Sequence, residues 1–205
     1  MVQIASRRAA PTPKDARRAE ILRGAADAFR ERGFHGAAMR DIAKTLGMLP
    51  SNLYYYFEGK DDLLYACQKT ALATLLAGAR AAIKAGGSAA ARLKAIARRH
   101  VLCLLEETGG SAAHLEFRAL PGKRRAEIAR GRDAYERLVR GVVEAGVASG
   151  ELRPVDAKLA TLSMLGALNS TVVWWKPDGP RRPPEIADAF ANLIVEGLVA
   201  GGHDR

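Results

Sequence analysis

The sequence predicts an all-α fold of about nine helices, arranged as a small three-helix head followed by a larger helical domain. Three observations predict it. Alanine and leucine dominate an apolar fraction of 48%, with only 6% aromatic residues, and unbranched side chains lose little rotamer freedom in a helix. Apolar positions recur at i, i+3/i+4 and i+7 in one segment after another. No stretch alternates apolar with polar residues as a half-buried strand does, and no internal repeat is present.

Residues 1–14 read as a basic arm, with Arg7, Arg8 and Lys14 interrupted by Pro11 and Pro13. Such an arm either meets nucleic-acid phosphates or is a plain disordered terminus. Over about residues 15–32, Ile21, Leu22, Ala25, Ala26 and Phe29 form an amphipathic stripe. Arg30 and Arg32 suit the negative end of its dipole, and Gly33 is a natural stop. A short second stripe (Met39, Ile42, Ala43, Leu46) closes at Gly47. The third helix opens at Pro50, a residue favoured at the first helical position, and runs to Phe57 before Glu58-Gly59. Two short helices joined at a glycine, after a longer one, are the pattern of a helix-turn-helix, placed at residues 15–60.

The second domain spans residues 61–205. Its first helix opens at Lys60 with Asp61 and Asp62 against the positive dipole end. The run through Leu63, Leu64, Leu72, Leu75, Leu76 and Ile83 lasts until Ala85-Gly86-Gly87-Ser88. Further helices are expected at about 92–107, 113–120, 123–149, 156–175 and 185–199, with glycine- and proline-rich turns between them.

Charge bears on the partner. The net charge is +10 with a pI near 10.0, which favours a polyanion, either nucleic acid or an anionic membrane. Residues 1–60 carry 11 Lys+Arg against 6 Asp+Glu, and the rest carry 21 against 16, so positive charge is denser in the head. Cys67 and Cys103 have neither metal-ligand spacing nor a disulfide framework; they read as buried thiols in a reducing cytoplasm, with a redox sensor as the lesser reading. The first twenty residues lack the apolar core of an export signal. The uncharged segment 159–175 is slightly short for a span of about 20 residues and holds Thr161, Ser163, Asn169, Ser170 and Thr171. It reads as a buried helix, and a soluble, cytoplasmic protein is expected.

On a helix from Pro50, Leu53 and Phe57 are one turn apart and face the core. Ser51, Asn52, Tyr55 and Tyr56 are then expected on the opposite face, with Tyr54 partly in the core. Phenol hydroxyls donate to phosphates, and their rings pack on sugar or on a thymine methyl. Asn52 can read an adenine edge, and Arg40 on the preceding helix can reach a guanine or a phosphate.

These residues resemble the TetR family of transcriptional repressors. The likeness runs from about residue 16 to 76 through Ile21-Leu22, Ala25-Ala26, Phe29, Gly33-Phe34, Arg40-Asp41-Ile42-Ala43, Leu46-Gly47, Asn52-Leu53-Tyr54-Tyr55-Tyr56-Phe57, Lys60 and Leu63-Leu64. The resemblance implies that Arg40, Pro50, Ser51, Asn52, Tyr55 and Tyr56 face the major groove or its phosphates, and that Tyr54 and Lys60 hold the DNA backbone. The chain departs from the family pattern in two places. Ala37 and Ala38 stand where Thr or Ser usually opens the second helix, and Leu49 where Ser or Thr caps the third. A missing cap costs ~1 kcal/mol, and each lost hydroxyl is a lost phosphate contact.

The resemblance further implies that the last two helices form a four-helix dimer interface. The residues agree: Leu162, Leu165, Gly166, Leu168 and Asn169 make one stripe, and Phe190, Leu193, Ile194, Gly197 and Leu198 another. A homodimer would set two heads about one duplex turn (~34–36 Å) apart on a palindromic operator. The segment Trp174-Trp175-Lys176-Pro177-Asp178-Gly179-Pro180, with Pro183-Pro184-Glu185-Ile186-Ala187, resembles a branch that regulates fatty-acid or sterol breakdown and senses acyl-CoA thioesters. On that likeness Arg118, Lys123, Arg124 and Arg125 would meet CoA phosphates, or else form a solvated helix face. Cys103, Leu104, Phe117, Leu138 and Trp174 would line an apolar pocket for the small-molecule inducer, or else pack as ordinary core.

A DNA-binding protein without a ligand is the nearest alternative. No phosphate loop, nucleophile elbow, zinc helix or paired-cysteine motif is present, and His35, His100, His114 and His203 are scattered, so no catalytic residue, metal or cofactor is expected. A membrane-surface protein is disfavoured, because the helices look packed rather than interfacial.

Overall fold

The computed structural model describes residues 12–107 and 116–201. Eight α-helices account for most of them: α1 Pro13–Gly36, α2 Met39–Thr45, α3 Pro50–Tyr56, α4 Lys60–Ala85, α5 Ala89–Leu102, α6 Gly122–Ala148, α7 Ala157–Trp174 and α8 Pro183–Glu196. A π turn, Cys103–Glu107, extends α5, and a 3-10 turn, Glu116–Ala119, precedes α6. Among the described residues the only strand-like pairing is an isolated bridge between Leu152 and Val199. The helix expected at 113–120 is this 3-10 turn in its described part, which leaves eight helices against the nine expected. Pro121 follows immediately, and a residue before proline is pushed out of the helical region.

The first helix starts earlier than its apolar stripe. Thr12 caps it: the Asp15 N–H donates to Thr12 Oγ1 (3.2 Å), and the Thr12 N–H donates to Asp15 Oδ2 (3.1 Å). That reciprocal capping box sets Pro13 at the first helical position and draws Lys14 into the helix; residues 1–11 of the expected arm lie outside the described residues. The stop at Gly33 is real: its φ is +68°, and one further turn follows to Gly36. Gly47 has φ +62° in the turn between α2 and α3.

Two apolar cores form. The head core holds Ile21, Leu22, Phe29, Phe34, Ile42, Leu53, Phe57, Leu63, Leu64 and Cys67, and it extends to Leu120, just before α6, and to Ile128 within α6. The second core gathers Leu72, Leu75 and Ala79 of α4 with Leu93, Ile96 and Val101 of α5, Tyr135, Val139 and Val143 of α6, Met164 and Leu168 of α7, and Ile186 and Val195 of α8. The Arg98–Asp188 (2.6 Å) and Lys94–Glu196 (3.3 Å) ion pairs join α5 to α8 at the surface. Both thiols are buried, and burial pushes Cys67 up to about 12, so it stays a protonated, inert thiol.

No helix among the described residues is long and apolar enough to cross a membrane. The uncharged segment, expected as a buried helix, is buried on one face. Thr161, Met164, Leu168, Thr171 and Val172 of α7 are inside, while Leu159, Leu162, Val173 and Trp174 are exposed. The two buried threonines donate back to Ala157 O and Leu168 O (both 2.7 Å), which satisfies their hydroxyls within the helix.

His100 is buried beside the second core. Its Nε2 lies 3.1 Å from Asn169 Oδ1, which can only accept, so Nε2 carries the hydrogen. Nδ1 then accepts from the Tyr135 hydroxyl at 3.1 Å. Burial lowers His100 from 6.5 to about 4, opposed by the Asn169 bond and aided by the Arg132 charge. The unfolded chain therefore takes up a proton near pH 6.5 that the folded chain refuses until about pH 4. Stability is fully present above pH 6.5 and declines as pH falls toward 4. Thermal unfolding followed from pH 7 to 4.5 should show a falling Tm, and His100→Gln should flatten that fall while lowering Tm at pH 7.

Candidate nucleic-acid interface

The recognition segment is built from a buried anchor and an exposed face on one short helix. Leu53 and Phe57 are inside the head core, while Pro50, Ser51, Asn52, Tyr54 and Tyr55 are exposed, Tyr55 at 72%. Tyr56 is half-buried against the core, and Tyr54 is 54% exposed, the reverse of the expected order. Helical spacing alone does not separate the two. Measured from the middle of the Leu53/Phe57 face, Tyr54 and Tyr56 each lie about 80° away on opposite sides, and the side that meets the head core is that of Tyr56. The rings of Tyr55 and Tyr56 meet edge to face, with centroids 5.1 Å apart.

Basic groups surround this helix. Lys14 Nζ lies 5.4 Å from the Tyr55 ring centre. Arg40 is exposed in the first turn of α2. Lys60 Nζ is 4.5 Å over the Phe34 ring and donates to His35 O at 3.3 Å, which fixes the start of α4 against the end of α1. Ala38 and Leu49 occupy the N-cap positions of α2 and α3, and neither makes a side-chain cap bond. Ala37 is packed inside instead.

Arg18 of α1 is a contributor that sequence reasoning passed over. Its Nη1 donates to Tyr56 O (3.2 Å) in the last turn of α3, and its guanidinium stacks 4.3 Å over Phe57. A cation at a helix C-terminus satisfies an orphan carbonyl and the dipole together. Its spacing of four residues before Leu22 was the available signal.

Comparison with known proteins decides what this head is. The description "Bacterial regulatory proteins, tetR family" matches residues 21–67, and "Tetracyclin repressor-like, C-terminal domain" matches residues 86–198. The chain belongs to the tetR family. It is a DNA-binding transcriptional regulator, not an enzyme. The fatty acid metabolism regulator protein of Bacillus subtilis (strain 168) is 25% identical over 188 residues, covering 91% of this chain and 95% of that protein. PfmR of Thermus thermophilus superposes with a TM-score of 0.78 at 30% identity, over 90% of this chain and 99% of its own. AibR, in complex with isovaleryl coenzyme A and operator DNA, superposes with a TM-score of 0.71 at 26% identity, over 86% of this chain and 97% of its own.

The C-terminal domain of this tetR-family regulator holds a cavity of about 320 Å³. Leu72 and Leu75 of α4, His100 of α5, Arg132, Tyr135 and Glu136 of α6, and Leu162, Leu165, Gly166 and Asn169 of α7 line it. Burial lowers the Arg132 pKa, opposed by Asp133, and its guanidinium lies 4.6 Å over the Phe117 ring. Glu136 Oε1 is 3.4 Å from Arg140 Nε.

The residues expected to line a ligand pocket lie elsewhere. Cys103 is in the second core with Sγ 3.7 Å from Ala71 O, Leu104 is buried in that core, and Leu138 packs beside it. Phe117 packs on the head core, and Arg118 is exposed on the 3-10 turn. Trp174 stacks on Phe190 of α8, centroids 6.0 Å apart. Arg124 pairs with Asp62 (3.1 Å) and Glu58 (3.6 Å) of the head side, whereas Lys123 and Arg125 are not drawn to the cavity. Of the residues expected at a dimer interface, Leu162, Leu165, Gly166 and Asn169 line the cavity. Phe190 and Ile194 are half-buried, and Gly197 is exposed. His100 sits in the stripe Leu93, Ile96, Ala97, His100, Val101, whose period could have marked it as inward-facing.

If Arg18 positions α3, Arg18→Ala should weaken binding to operator DNA about tenfold, the scale of a hydrogen bond to a charged group. The slope of log affinity against log salt should stay unchanged within about one, because no phosphate contact is removed. A slope that drops by one or more would make Arg18 a phosphate ligand instead.

Proposed function

We propose that this chain is a ligand-responsive repressor that binds a palindromic operator as a homodimer and releases it when a small molecule enters the C-terminal domain. The observation that carries the reading is the two-sided α3, with Leu53 and Phe57 locked in the core and Ser51, Asn52, Tyr54 and Tyr55 presented outward. Arg40, Pro50, Ser51, Asn52, Tyr55 and Tyr56 meet the major groove or its phosphates, and Tyr54 and Lys60 grip the backbone.

The dimer is supported by the outer faces of α7 and α8. Leu159, Leu162, Val173 and Trp174 stand exposed with Leu193, which is 74% exposed. Exposed apolar side chains gathered on the outer faces of two helices suit a protein interface. A Cβ added at Gly166 meets nothing within 4 Å, so a partner helix can approach closely there. That face also lines the cavity, so a second copy closes the cavity's α7 side.

The ligand class is supported by the relatives and by size. AibR was solved with isovaleryl coenzyme A, and the B. subtilis protein regulates fatty acid metabolism. At roughly 30 Å³ per water-sized group, 320 Å³ takes an acyl group rather than a whole coenzyme A thioester. The acyl chain of an acyl-CoA then lies among Leu72, Leu75, Leu162 and Leu165, and Arg132 is the cation nearest the thioester's polar end. A different apolar metabolite of that size is the alternative, and the cavity's mixed lining leaves room for it.

Two experiments test this. Wild type should bind its own upstream intergenic DNA with log affinity falling linearly against log salt, and Tyr55→Ala should lose most of the preference over random DNA. Short acyl-CoA thioesters should release that complex; release only by another apolar metabolite would change the ligand class. Separately, Leu193→Asp should turn the purified protein from dimer to monomer in sedimentation and weaken operator binding. A variant that stays dimeric would place the interface elsewhere.

A further inference from the structure

Leu49 immediately precedes α3 and is 67% exposed, an isobutyl group standing in water beside Ser51 and Asn52. The fold gains little from it there. At an N-cap, leucine forgoes the side-chain bond that serine or threonine makes, and none is present at α3. The backbone is already extended as a capping residue requires, with φ −69° and ψ 143°. The neighbours that pack on the head core are Met48 and Leu53. Pro50, the next residue, is exposed as well and has no N–H to donate. The entry to α3 therefore presents two consecutive side chains without a donor, next to a polar face.

A phosphate oxygen or a polar base edge gains nothing from such a pair. The major groove offers one apolar group, the C5-methyl of thymine. We infer that Leu49 is a specificity-determining residue that packs on a thymine methyl at one position of each operator half-site. This rests on α3 being the helix that enters the major groove, as proposed above. A residue that breaks the local capping rule without benefit to the fold is accounted for by what it touches outside the fold.

The test uses the duplex enriched from a random pool by the purified full chain, remade with deoxyuridine in place of each thymine in turn. Uracil keeps the base pairing and removes only the methyl. At one thymine per half-site the replacement should weaken wild type about fourfold, the value of one methyl-sized group. Leu49→Ser should bind the thymine and uracil duplexes equally, and Leu49→Ala should share that indifference. Leu49→Ser supplies the missing cap, so a loss of folding does not obscure the result. A uracil penalty that is the same in wild type and Leu49→Ser at every thymine overturns the inference, and so does an enriched half-site without thymine. Tyr55→Ala separates the two levels. If it binds as tightly as wild type, α3 is not the reader; if it weakens binding while Leu49→Ser leaves every uracil penalty in place, only the role of Leu49 falls.

Discussion

Helix α4 runs through both hydrophobic cores, and the rest of the structure depends on that shared element. Its first turns give Leu63, Leu64 and Cys67 to the head, and the next give Leu72, Leu75 and Ala79 to the second core. Twenty-six residues at 1.5 Å each make a rod of about 39 Å, so a tilt at one end is carried to the other. Helix α6 makes the same crossing, with Ile128 in the head core and Tyr135 and Val139 in the second. Arg124, paired to Asp62, ties the two helices together where they enter the head. The crossing itself is tight. A Cβ on Gly131 would run into the Leu72 side chain, and close-packed interiors transmit displacements rather than absorb them.

Much of this was legible in the sequence because it rests on local chemistry. The 3.6-residue stripes placed most helices, and Gly33 and Gly47 take the positive φ that their turns require. The burial of Leu53 and Phe57 followed from a spacing of four. Tyr54 and Tyr56 flank the Leu53/Phe57 face at equal angles, about 80° on either side, so only the tertiary packing decides which of them is covered. The start of α1, expected at about residue 15, lies at Pro13, where the Thr12–Asp15 capping box opens the helix ahead of an apolar stripe that begins at Ile21.

The second domain was legible as helices and much less so as a site. The cavity takes its walls from α4, α5, α6 and α7, residues 72 to 169 in sequence, and no local pattern announces a meeting of four helices. Cys103 and Leu138 lie on or beside the right helices but face the core, and Trp174 sits where α7 meets α8. The segment 159–175 shows why hydropathy alone could not settle burial. An apolar face reads the same whether it meets its own core or awaits a second chain, and only the fold separates Met164 and Leu168 from Leu159 and Leu162.

The polar groups around the cavity suggest how a regulator of this build could be selective. His100, Tyr135 and Asn169 come from α5, α6 and α7, and their bonds of 3.1 Å are met together only when those three helices hold one arrangement. Buried polar groups cost more when left unmet than they contribute when paired, so the trio holds that arrangement against small shifts. An apolar group that fills the cavity acts on the helices through packing alone, against Leu72, Leu75, Leu162 and Leu165. A ligand with a carbonyl or amide in reach of His100 and Asn169 can exchange bonds with them. His100 and Asn169 lie on α5 and α7, so such an exchange would reach α6, which enters the head, through the Tyr135 hydroxyl bonded to His100. If, as proposed, a ligand in this cavity releases the operator, each must change the other's affinity by the same factor.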